Sequence, residues 1–135
     1  MIGLWVLIGT LAGASVAGVV WRRTHGRVRT RSEVRLLPAK IRDAVDPAAQ
    51  VTLVQLSTTF CAPCRRARAM LGNLAERTPE LHHTEIDVTN EPDLVRELGV
   101  LRTPTTLAVD AGGRELFRVS GVPDRGKLLS ALRLT

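Results

Sequence analysis

The chain predicts an α/β domain with a mixed central sheet, preceded by one apolar helix long enough to cross a membrane. Three observations lead there. Residues 2–21, IGLWVLIGTLAGASVAGVVW, run for twenty positions without a charge. Beyond them, β-branched apolar runs alternate with stretches of helical period in the order β-α-β-α-β-α-β-β-α, which places parallel strands first and an antiparallel hairpin last. The two cysteines, Cys61 and Cys64, stand with two residues between them where one strand gives way to a helix.

The apolar run is as long as a helix needs to span a hydrocarbon core of about 30 Å. Trp5 and Trp21 lie near its ends, where indole rings favour the membrane interface, and Gly9, Gly13 and Gly18 offer a small face. A cleaved signal peptide is the alternative, with Ser15-Val16-Ala17 as a cleavage site. No Lys or Arg precedes the run, however, and its length exceeds an h-region of about 7–15 residues, so an uncleaved anchor over 1–21 is the expectation. Arg22, Arg23, Arg27, Arg29 and Arg31 all follow it. By the positive-inside rule they hold the globular part in the cytoplasm of a single-pass protein, and the arginine-rich composition suggests a bacterial plasma membrane.

Residues 22–33 read as a basic linker containing Gly26. Val34 to Leu37 form a candidate first strand, and Pro38 opens a helix bearing Ala39, Ile41, Ala44 and Val45. Val51 to Ser57 is dense enough in apolar residues to be a central strand buried on both faces. Ala67, Met70, Leu71 and Leu74 recur at i, i+3, i+4 and i+7, which makes 62–77 an amphipathic helix that Thr78-Pro79 ends. A strand over Leu81–Ile86 and a helix over Glu91–Leu98 follow, the latter with Pro92 in its first turn and Gly99 as its stop. Thr105–Val109 and Glu115–Ser120 flank the turn at 110–113 as a hairpin, and Lys127–Leu134 closes the chain as a helix.

The net charge of +6 is no nucleic-acid footprint. Residues 22–42 carry eight Arg and Lys against Glu33 alone, whereas 43–135 carry 11 basic against 12 acidic residues, so the excess belongs to the juxtamembrane stretch and suits lipid head groups. Neither do two cysteines make a disulfide scaffold. At 135 residues the chain has room for one domain able to bury a core of its own.

A cysteine pair spaced by two residues is a redox dithiol, a structural disulfide or half of a metal site. Haem attachment needs His after the second cysteine, where Arg65 stands. Zinc needs two more ligands, and adjacent His82 and His83 on one strand point to opposite faces, so no metal is expected. As a dithiol, Cys61 would stand at the N-cap of the following helix, where free N–H groups and the helix dipole favour its thiolate. Pro63 suits the first turn, and Cys64 lies one turn in, placed to resolve a mixed disulfide. Arg65, Arg66 and Arg68 add positive potential.

Over residues 34–135 the chain resembles the thioredoxin family, on the combined ground of Cys61-Ala62-Pro63-Cys64, the downstream Thr103-Pro104 and the terminal β-β-α. The resemblance implies a three-layer thioredoxin-like fold in which Cys61 attacks and Cys64 resolves. It also implies a substrate platform of Phe60, Ala62, Pro63, Thr103 and Pro104, with Pro104 in cis against the dithiol. Two departures bear on mechanism: the family's tryptophan before the first cysteine is Phe60, and its buried aspartate six residues upstream is Gln55, while the lysine partnering that aspartate aligns with His83. Gln55 cannot take a proton, which leaves His83 and Glu85, or a water, as candidates for proton transfer.

The expected function is therefore a membrane-tethered thiol–disulfide oxidoreductase reducing protein disulfides. It would use no cofactor beyond its redox disulfide and draw electrons from a protein donor such as a thioredoxin reductase. A non-catalytic membrane adaptor on the same fold, or an outward-facing oxidase or isomerase, are the competing readings.

Overall fold

A computed structural model describes residues 1–24, 27–30 and 36–133. The apolar run is one helix, α1 (Ile2–Thr24). It is solvent-exposed along its described length. Length and composition suffice for a span over Ile2–Arg23.

The domain comprises β1 (Arg27–Thr30), α2 (Ala39–Arg42), β2 (Val51–Ser57), α3 (Ala62–Glu76), β3 (Leu81–Asp87), α4 (Pro92–Leu98), β4 (Thr105–Asp110), β5 (Glu115–Ser120) and α5 (Arg125–Arg133). The strands form one sheet in the order β1-β5-β4-β2-β3. β2 and β3 run parallel, as the helix between them demands, and the remaining neighbours are antiparallel.

Alternation along β2 divides the core. Leu53 joins Leu71 and Leu74 of α3, Phe117, Val119 and Leu128 of α5 on one face, while Val54 and Leu56 join Ile41, Leu94, Leu98 and Leu107 on the other. This yields the three layers expected of the fold, with β2 buried on both sides at its centre.

Four departures from the sequence reading concern which short elements form and where elements end. Arg27–Thr30, assigned to the linker by its charge, is a strand pairing antiparallel with β5, from Arg27↔Ser120 to Thr30↔Phe117. Its one apolar residue, Val28, packs against the α3 side of the core, so a single inward side chain and the free edge of β5 outweigh a basic composition. Of the expected strand at 34–37, Val34 and Arg35 lie outside the described residues. Leu36 makes only an isolated antiparallel bridge to Arg114, and Leu37 is buried. The helix after Pro38 is one turn long, and Asp124 starts α5 two residues early by accepting from Lys127 N–H at 3.0 Å.

Gly99 ends α4 in the left-handed region, at φ 64°. Nearby, Arg118 of β5 reaches across to donate to the Leu98 carbonyl at 2.8 Å while its guanidinium grips Glu115 with two bonds of 2.5 and 2.7 Å. The side chains are only 12% and 2% exposed. Removing one partner would strand a buried charge, so Glu115→Ala should lower stability by about 3–5 kcal/mol. The paired replacement Glu115→Leu with Arg118→Met should lose distinctly less in urea denaturation, and equal losses would show that burial of the charge is not the cause.

Candidate active site

β2 ends at Ser57, and four residues later the chain enters α3. Between them Thr59 is pinned, its N–H donating to Thr89 Oγ1 at 3.0 Å, while Thr89 itself turns back onto Asp87. Those hydrogen bonds hold the Asp87 carboxyl below the usual carboxylate range. The turn delivers Cys61 to the N-cap of α3 in an extended conformation, with Ala62 and Pro63 as the first helical residues. Pro63 has no N–H to leave unsatisfied there.

The two cysteines form a disulfide. Cys61 Sγ also accepts from the Cys64 N–H at 3.2 Å, so the sulfur occupies the place of a capping oxygen and would keep that donor as a thiolate. Burial distinguishes the two cysteines. Cys61 is partly exposed, whereas Cys64 is 2% exposed beneath the helix, so an incoming disulfide can reach only the first sulfur readily.

The Thr103–Pro104 bond is cis, and Pro104 is buried at the entrance to β4. β4 pairs with β2 as far as Leu56↔Thr105, which sets this loop beside the chain leading to Cys61. A 3.3 Å hydroxyl contact between Thr58 and Thr103 joins the two, and Gly121 N–H closes on the Pro104 carbonyl at 2.7 Å. Phe60, 98% exposed, and Leu101, 96% exposed, flank the cysteine turn and the proline loop as bare apolar side chains. Ala62 and Pro63 are exposed beside Phe60. Leu101 escaped the sequence reading because a lone leucine after a helix stop has no pattern to mark it.

Below the dithiol lies a polar layer on the α3 face. Gln55 is fully buried, its Nε2 donating to the Cys64 carbonyl at 2.9 Å and its Oε1 lying 3.1 Å from His83 Nε2. Since the Gln oxygen can only accept, His83 donates through Nε2, which leaves Nδ1 as the unprotonated nitrogen of the neutral ring. Burial lowers the His83 pKa, with His82 and Arg68 adding to the effect and Glu85 opposing it. Glu85, opposite Gln55 in the β2–β3 register, accepts from Ser57 Oγ at 2.5 Å and from Arg68 Nη2 at 2.8 Å. Burial pushes its pKa up, but those bonds and the Arg68 charge prevail and hold it low.

The expected proton-transfer candidates thus stand on one layer, with Gln55 between His83 and the Cys64 carbonyl and with Glu85 engaged by Ser57 and Arg68. Arg68, expected to favour the Cys61 thiolate, spends its charge on Glu85, while Arg65 and Arg66 remain exposed. His82 faces the other way, 3.5 Å from Asp46, so the two histidines do not converge. Among the described residues no group of three or more His, Cys, Asp or Glu could hold a metal.

The thioredoxin family pattern matches residues 33–133. Among similar proteins, Thioredoxin-2 of Pyricularia oryzae is 32% identical over 60 residues, covering 44% of this chain and 35% of the relative. The bifunctional thioredoxin reductase/thioredoxin of Mycobacterium leprae is 31% identical over 81 residues, 59% of this chain and 18% of that protein. The chain therefore spans well under two thirds of these relatives' lengths. In three dimensions a thioredoxin from Trichomonas vaginalis superimposes with a TM-score of 0.59 at 20% identity, over 71% of this chain and 89% of its own, which is a likeness of fold.

The lowered His83 pKa has a measurable consequence. A histidine that binds its proton more weakly when folded makes stability rise with pH, fully present above the ordinary value of 6.5 and lost as pH falls through the folded value. Wild type should lose more of its urea midpoint between pH 7.5 and 5.5 than His83→Gln does. Parallel declines in the two proteins would contradict the buried, weakly basic imidazole.

Proposed function

Because the chain belongs to the thioredoxin family, we propose that it is a membrane-tethered thiol–disulfide oxidoreductase that reduces protein disulfides through Cys61 and Cys64. The observation that carries this reading is a disulfide whose outer sulfur caps α3 while its inner sulfur is buried, beside a cis-proline loop.

In the reduced protein, the Cys61 thiolate attacks one sulfur of a substrate disulfide, and the other substrate sulfur leaves as a thiolate. Cys64 then loses its proton and attacks Cys61 Sγ, expelling the second substrate thiolate. Two electrons pass to the substrate, and Cys61–Cys64 becomes the disulfide. A protein dithiol restores it, and the reductase joined to a thioredoxin in the Mycobacterium leprae relative supports a donor of that class.

The exposed Phe60, Ala62 and Pro63, with Thr103 and Pro104 across the gap, form the platform for an extended substrate segment. At position 55 the resolving proton meets an amide, with its NH2 on the Cys64 carbonyl and its oxygen on His83, and a route through Glu85 would run by the Ser57 hydroxyl. Gln55→Asp should therefore speed the second step near neutral pH and leave the first attack nearly unchanged, provided that a thermal melt finds the variant folded. If wild type resolves mixed disulfides as fast as it forms them, and a folded Gln55→Asp changes nothing, Gln55 is not limiting and His83→Ala is the next variant.

α1 supports the tether, and the arginines after Trp21 support a bacterial plasma membrane with the domain in the cytoplasm. Two measurements test the proposal. The full chain in detergent should accelerate reduction of a protein disulfide by a limiting dithiol, and Cys61→Ser should return the rate to background. An impermeant thiol reagent on intact cells should leave Cys61 unlabelled until lysis, and strong labelling beforehand would place the dithiol outside.

A further inference from the structure

Buried polar atoms almost always find a hydrogen-bond partner, so an exception calls for a reason. Among the described residues the exception is Thr106 Oγ1, in a side chain 1% exposed. Thr106 lies on β4, two residues past the cis-proline, directly opposite Gln55 on β2 and Val119 on β5. Its neighbours Ala108 and Val119 belong to the core beneath α3, so the hydroxyl is on the face that carries Gln55 and Cys64.

The orphan sits in the oxidised protein. Here neither sulfur carries a proton or a charge, and Gln55, the nearest polar neighbour across the ladder, is already bonded to the Cys64 carbonyl and to His83. Reduction changes the demand. It places a thiol, and during turnover a thiolate, at a sulfur that is nearly inaccessible to water, where an anion without a donor is costly.

We propose that Thr106 is a positioning residue for the reduced state, its hydroxyl donating to Cys64 Sγ directly or through one water. The inference rests on the oxidoreductase reading above and adds a redox-dependent partner to it. The hydroxyl is unpaired as disulfide and paired as dithiol, so it biases the couple toward the dithiol and lowers the Cys64 pKa.

The test is equilibration of the full chain in detergent against dithiothreitol. The reagent's two thiols give up two electrons and two protons and close to a ring disulfide, the Cys61–Cys64 bond breaks, and each cysteine gains a proton. Thr106→Val keeps the shape and deletes the donor. It should move the equilibrium constant about tenfold toward the disulfide, equivalent to about 30 mV, in line with loss of one hydrogen bond. In a Cys61→Ser background the same change should shift the pH profile of Cys64 alkylation upward, which a packing role would not do. Thr106→Ser, which keeps a hydroxyl, should stay near wild type. An unchanged equilibrium in Thr106→Val, or equal shifts in the Val and Ser variants, overturns the proposal. If wild type itself fails to pass reversibly between dithiol and disulfide, the oxidoreductase reading falls and this one with it, whereas a reversible wild type with an unshifted valine variant removes only the role of Thr106.

Discussion

The first turn of α3 is tied to the centre of the sheet by one buried amide. Gln55 stands on a strand buried on both faces, and its Nε2 donates to the Cys64 carbonyl while its Oε1 accepts from His83 Nε2–H. A buried amide left unpaired would cost free energy, so both ends being occupied makes the residue a fixture. The consequence reaches outward. With the Cys64 carbonyl held, the helix start is anchored to β2, and Cys61 keeps its place at the cap of α3.

That arrangement sets the electrostatics as much as the geometry. A buried carboxylate at position 55 would bring a titrating charge beneath the dithiol, but the amide brings none. Glu85, the nearest acid in the β2–β3 register, is neutralised by Arg68 and fed by Ser57. What remains at Cys61 is chiefly the N-terminus of α3, with the Cys64 N–H pointing at its sulfur. The donor that the structure places at the Cys61 sulfur is therefore a backbone N–H, while Arg68 is paired with Glu85.

How much of this was legible in the sequence depends on the kind of pattern involved. β2, α3 and the β4–β5 hairpin follow from strong periodicities bounded by Pro, Gly and the cysteine turn, and their limits agree with the structure to within a residue. β1 was hidden because four residues with two arginines look like linker when charge is counted, although Val28 alone supplies the inward contact. In the site, Gln55 was marked only by the family resemblance, as the residue standing where the family has a buried aspartate, and its partners were not legible. Which atoms meet it depends on β2–β3 register and on where α3 crosses the sheet, both set by long-range packing. Thr106 carried no mark at all, since a threonine in a strand is what β-propensity favours.

In the proposed mechanism the two sulfurs have different jobs, with Cys61 attacking and Cys64 resolving. Trapping measures this most directly. Reduced Cys64→Ser and Cys61→Ser proteins would each be mixed with a protein disulfide substrate, and the covalent adducts mapped by mass spectrometry. The expected result is a stable mixed disulfide at Cys61 in the first variant and little or none at Cys64 in the second. Comparable adducts in both, or a preference for Cys64, would contradict it.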